Sequence, residues 1–223
     1  MPFFIFLTIV LAIALIVVWN LWRRAVRAHY IRSFSLPPGL YERLRKKRPD
    51  LELKDCQLVA RALRQFFLAY LTSGRRFVSM PSQVTDDLWH EFILYTKAYQ
   101  SFCDKAFGRF LHHTPAVALG SDQQDNAGLR RTWWYCCREE NIDPKKPTRL
   151  PLLFAIDGKM NLADGFRYAA NCERLRQGGD GTAYCGTDFS STAFDGGTDG
   201  FGDGASGDSG GDGGGCGGGC GGD

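Results

Sequence analysis

Three of the four histidines, with a run of acidic and aromatic residues, fall between positions 86 and 113. The run reads Asp86-Asp87-Leu88-Trp89-His90-Glu91-Phe92, then Tyr99, Cys103 and Phe107-Gly108-Arg109-Phe110-Leu111-His112-His113. Imidazole and thiolate bind transition metals such as zinc, so His90 with Cys103, His112 and His113 forms a candidate ligand set. Asp86 precedes His90 by one helical turn. Its carboxylate can accept from one imidazole nitrogen and leave the other free for a metal or a proton. On an unbroken helix the 13 residues from His90 to Cys103 put the two on opposite faces. Joint ligation therefore requires a bend or a packed neighbouring helix. The plainer reading makes Trp89 core, His90 a hydrogen-bonded histidine and Cys103 a small apolar filler. No C-x-x-C or H-x-x-x-H spacing opposes it, and we favour it.

The remaining thiols point less clearly to chemistry. Vicinal Cys136 and Cys137 diverge by about 100° on a helix and chelate one ion poorly, so burial beside Trp133 and Trp134 is expected. Cys185, Cys216 and Cys220 lie in a glycine-rich stretch, where accessible thiols can take a soft metal, a modification or an intermolecular bridge. A plain flexible tail is the default there. No nucleophile elbow, phosphate-binding glycine loop, H-E-x-x-H or dinucleotide fingerprint occurs, so an enzyme is unsupported.

Helices must position the central run. One is expected from about Lys54 to Ser73, with Val59, Leu63, Phe66, Phe67 and Tyr70 at helical spacing and Gly74 as its stop. Its partner opens at Pro81-Ser82, with Asp86 and Asp87 in the first turn and a stripe of Leu88, Phe92, Tyr95, Tyr99 and Phe102. Pro115 closes that segment, so His112 and His113 fall near a helix end or turn. Further helices are expected over Ala127 to Glu140, briefly over Pro151 to Ile156, and over Phe166 to Arg176. Regular strands are not evident.

Ahead of the domain, Met1 to Trp22 carries no charged side chain, and Phe3 to Trp19 is apolar except for Thr8. About 20 such residues just span a hydrocarbon core of about 30 Å. Without a basic n-region or a small-residue cleavage site, an uncleaved transmembrane anchor is expected rather than a signal peptide. Trp19 and Trp22 suit the head-group level. Arg23, Arg24, Arg27 and Arg32 follow before the first acid, Glu42, which predicts the N-terminus outside and the domain in the cytoplasm. A reducing cytosol then argues that the eight cysteines are thiols rather than a disulfide framework.

The net charge of +3 hides a basic front and an acidic tail: every Lys and Arg lies at or before Arg176, and residues 178 to 223 carry eight Asp and no base. Anionic lipid head groups are the nearest explanation for basic residues beside an apolar segment, and no nucleic acid partner is expected. In the tail 20 of 46 residues are Gly. Such a chain cannot offset its ordering entropy by burying apolar surface, so disorder is expected.

Pro81-Ser82, Asp86-Asp87-Leu88-Trp89-His90, Tyr99, Cys103 and Phe107-Gly108-Arg109 together resemble the glycine-rich domain-containing protein-like family of plants and bacteria. The bacterial, membrane-attached form is the closer likeness, and the glycine-rich C-terminus agrees. The resemblance implies a helical domain and shared motif positions at Asp86, Asp87, Trp89, His90, Tyr99, Cys103, Gly108 and Arg109, rather than a reaction.

The expected architecture is all-α: a transmembrane helix (1–22), a basic juxtamembrane stalk (23–50), a helical domain (51–177) and a disordered acidic Gly/Cys-rich tail (178–223). The expected function is a membrane-tethered interaction module with a protein partner. The alternative is a metal-binding or metal-dependent protein.

Overall fold

The computed structural model describes residues 2–113, 123–170 and 184–185. Seven helices lie among them: α1 (Pro2–Ser33), α2 (Leu40–Lys47), α3 (Leu53–Thr72), α4 (Gln83–Leu94), α5 (Thr96–Ala106), α6 (Gln123–Glu139) and α7 (Leu152–Lys159). The two-residue strands β1 (Tyr168–Ala169) and β2 (Tyr184–Cys185) pair in parallel, with Tyr168 opposite Tyr184. The mostly helical architecture follows the sequence expectation. Apart from residues 184–185, the segment expected to be a disordered tail lies outside the described residues.

α3 is the central element and packs against α1, α4, α6 and α7. Its start is fixed by Asp55, whose carboxylate accepts from the Glu52 N–H at 2.9 Å and so satisfies a backbone donor at the helix entrance. Phe66 and Phe67, both buried, open an aromatic cluster with Trp89 of α4 and Phe102 of α5. Each ring removed from water contributes about 1.5–3 kcal/mol, which makes this cluster the main apolar anchor of the domain.

α1 divides into two parts of different character without a break in its helix. Its N-terminal part is long and apolar enough to cross a bilayer and has no buried residue in its most apolar window. Its last turns join the core: Ile31 is fully buried, Tyr30 lies 5.9 Å from Phe102, and Arg32 grips Glu139 through both carboxylate oxygens. Just beyond α1, Phe34 lies 4.7 Å from Phe102. Leu40 and Leu44 of α2 are buried as well.

Three expected elements differ in the structure. The stripe from Leu88 to Phe102 is carried by two helices, because the backbone leaves helical geometry at Tyr95 (φ −82°, ψ 60°). Leu94 is left exposed there, while Tyr99 and Phe102 still reach the core from α5. The helix expected from Phe166 does not form over residues 166–170; Tyr168 and Ala169 are a strand instead, and residues 171–176 lie outside the described residues. The brief helix expected to stop at Ile156 continues to Lys159 through Asp157-Gly158.

Candidate functional site

The site begins with the first turns of α4. Ser82 caps the helix by accepting from the Thr85 N–H at 3.2 Å. Its hydroxyl donates to Asp157 Oδ1 at 2.7 Å. The buried Asp157 carboxylate, supplied by α7, also accepts from the N–H groups of Gln83 (2.8 Å), Val84 (3.2 Å) and Phe166 (3.0 Å). A fixed anion thus sits at the positive end of the α4 dipole and satisfies donors that the helix cannot. Gly165 is needed beside it, since a Cβ there would lie 2.8 Å from the Asp157 Cβ.

One turn into α4, consecutive aspartates part company. Asp87 is buried and pairs with Lys47 (2.5 Å) and Arg48 (2.8 Å), and Arg48 continues to both carboxylate oxygens of Asp164 at 2.6 Å. The Arg48 hydrogen bonds hold the Asp164 carboxyl below its ordinary range. Asp86 faces the histidines. His90 Nδ1 lies 3.5 Å from Asp86 Oδ2, and His113 Nε2 lies 2.9 Å from Asp86 Oδ1.

His113 reaches Asp86 from 27 residues away through a relay of buried hydrogen bonds. Trp89 Nε1 donates to the Tyr99 hydroxyl at 3.1 Å, and that hydroxyl donates to the Leu111 carbonyl at 2.6 Å. Holding Leu111 holds the residues after it, so the His113 ring rests against Trp89 with centroids 4.6 Å apart. The His90 and His113 rings are then 4.2 Å apart. Burial raises the Tyr99 hydroxyl well above its ordinary range, so it stays a donor.

The structure therefore brings together Asp86, His90 and His113, but not the whole expected ligand set. Cys103 is buried beside Tyr99, and His112 is exposed and lies at a tilt against Phe110 with ring centroids 4.7 Å apart. Neither belongs to the cluster: the chain turns at Tyr95 so that α5 carries Cys103 into the aromatic core. Gly108 and Arg109 lie elsewhere, where Arg109 donates to the Tyr70 hydroxyl at 3.0 Å and to the Arg75 carbonyl.

The thiols of Cys56, Cys103, Cys136 and Cys137 are all buried and free. Burial pushes each of them up, Cys137 to about 12, so they remain protonated and poor nucleophiles near neutral pH. This agrees with the expected burial of Cys136 and Cys137. Cys216 and Cys220 lie outside the described residues, and of Cys185 only the backbone pairing in β2 is described.

Chemically, Asp86 is a carboxylate shared by two imidazoles, with one ligand atom from each residue within 4.8 Å of the others. It orients both rings and leaves His90 half exposed. Sequence reasoning singled out Asp86 and both histidines but missed Asp157 and Arg48. Asp157 sits in an Asp-Gly pair that looks like a turn, and Arg48 ends a charged stretch that looks like a solvated face.

These features define a mostly helical domain headed by one long apolar helix, with a histidine–aspartate cluster at the start of α4. The chain belongs to the UCP032817-like family, whose sequence profile matches residues 26–189. That match begins beyond the apolar segment and covers the whole Asp86–His113 run. No curated protein and no solved structure matches the chain.

Proposed function

We propose that the protein is a membrane-tethered helical module that presents its domain to a protein partner at the cytoplasmic face, with the N-terminus outside. The observation that carries this reading is the divided character of α1, solvent-facing and apolar from Phe3 to Trp22 and part of the domain core at Ile31. The arginines that follow Trp22 support the orientation. A groove of about 840 Å3 supports the partner: Arg61, Arg64 and Lys159 line it beside the Arg32–Glu139 and Arg149–Glu140 pairs, an arrangement that suits an acidic segment. The Asp-x-x-Trp-His motif and the glycine-rich C-terminus support the finer assignment to the bacterial, membrane-attached form of the glycine-rich domain-containing protein-like family.

Alkaline carbonate should leave the full chain in the membrane pellet and release a chain lacking residues 2–22. A photo-crosslinker at the exposed position of Arg61 should give a discrete adduct in native membranes that charge reversal at Lys159 removes. Full release of the intact chain, or the same adduct pattern after charge reversal, would overturn the module reading.

A second reading, binding of a transition metal such as zinc, is favoured by one observation, the convergence of Asp86, His90 and His113. Two imidazoles and a carboxylate make a three-ligand set with room for a fourth, exchangeable ligand. Zinc titrated calorimetrically into the full chain in detergent should bind one equivalent. Asp86→Ala and His113→Ala should each weaken binding by at least about tenfold, and His112→Ala should leave it unchanged. Absence of binding, or equal binding in all four proteins, would remove this reading.

A further inference from the structure

Where the apolar part of α1 ends, it meets the domain at a cavity of about 410 Å3 lined by Arg23, Arg24, Arg27 and Arg75 together with Gly74 and Gly108. Asn20, Arg23, Arg24 and Arg27 follow the spacing of one helical face, and all four border the cavity. No acidic side chain lines it, and among the described residues none of the four arginines has an ion-pair partner. Their contacts are with carbonyls. Arg27 Nη1 and Arg75 Nη1 both donate to the single Phe107 carbonyl at 3.0 Å, and Arg24 Nη2 donates to the Thr72 carbonyl at 2.8 Å.

Those carbonyls belong to the C-terminal ends of α3 and α5, where cations are favourable. The helix ends account for only part of the charge: about half an elementary charge at each faces four guanidiniums that repel one another. Each guanidinium carries five N–H donors, most of them left without a protein acceptor among the described residues. Gly108 has φ +72°, which favours glycine, and the Arg27 guanidinium lies directly against this turn, in the space that a Cβ would take.

We propose that this pocket binds the phosphate of an anionic lipid head group. Forked guanidiniums match phosphate oxygens, and an anion among them relieves their mutual repulsion. The source is lipid rather than solution because Trp19 and Trp22, whose rings lie 5.1 Å apart, immediately precede Arg23 and mark the head-group level. The inference rests on α1 being a membrane span.

The test uses the full chain. Flotation with vesicles of phosphatidylcholine alone, and with added phosphatidylglycerol, establishes insertion first. Native mass spectrometry of the detergent-solubilised chain then compares binding of the two lipids with matched acyl chains. The wild type should prefer phosphatidylglycerol by at least about tenfold. Arg27→Gln/Arg75→Gln should lose that preference, while Lys46→Gln/Lys97→Gln, which removes the same charge from exposed sites, should keep it. Arg23 makes no hydrogen bond or ion pair among the described residues, so Arg23→Gln removes charge from the pocket without removing a protein contact; it should weaken phosphatidylglycerol binding about fivefold.

A chain that floats with both vesicles but shows no head-group preference, or whose Arg27/Arg75 variant keeps it, overturns the pocket and leaves the tether standing. A chain that floats with neither overturns both. Inorganic phosphate displacing phosphatidylglycerol at equal concentration would assign the pocket to a soluble anion and overturn the lipid.

Discussion

Asp157→Ala should lower the unfolding free energy of the domain by about 4 kcal/mol, read as a shift in the urea midpoint at constant slope. The carboxylate accepts from Ser82, Gln83, Val84 and Phe166 in a place with almost no water. Alanine leaves the first donors of α4 buried and unpaired and removes the charge that faces the helix dipole. Asp157→Asn keeps the shape and one acceptor oxygen, so about half of that loss is expected. A shift below about 1 kcal/mol for the alanine variant would show that the α4 entrance is not held from α7.

Arg48→Met should cost about 3 kcal/mol, because it strands the buried Asp87 with Lys47 alone. Arg48→Lys should recover little, since one ammonium cannot reproduce the fork that joins Asp87 to Asp164. The double variant Arg48→Met/Asp87→Leu should regain most of the stability, because no uncompensated charge is then left inside. If the double variant is no better than Arg48→Met alone, Asp87 is not the buried charge that matters. Acid supplies a further check. Arg48 holds the Asp164 carboxyl below its ordinary value of 3.8, so this pair's contribution is present above that value and is lost as the pH falls below it.

Much of this was legible from local rules. Helical spacing identified α3 and its stop at Gly74, and the one-turn separation of Asp86 and His90 put both on one face of α4. What stayed hidden depended on contacts distant in sequence. The turn at Tyr95 has neither glycine nor proline to announce it; it is stabilised where Tyr99 and Phe102 enter the core from a new direction. His113 rather than Cys103 meets Asp86 because a tryptophan, a tyrosine and a backbone carbonyl lock the chain after α5, a chain of bonds that no spacing rule contains. Asp157-Gly158 reads as a turn in isolation, yet its carboxylate serves another helix and its glycine stays within α7. α2 was equally opaque: its charged residues conceal Leu40 and Leu44, which lie fully inside.

The absence of any joint in α1 between Trp22 and Ile31 has a mechanical side. At about 1.5 Å per residue its 32 residues form a rod of about 48 Å, gripped at one end by the domain. In the proposed setting that rod is a lever. A thinner bilayer tilts an over-long span, and with no swivel the domain must swing through the same angle, so bilayer thickness is converted into the direction in which the domain points.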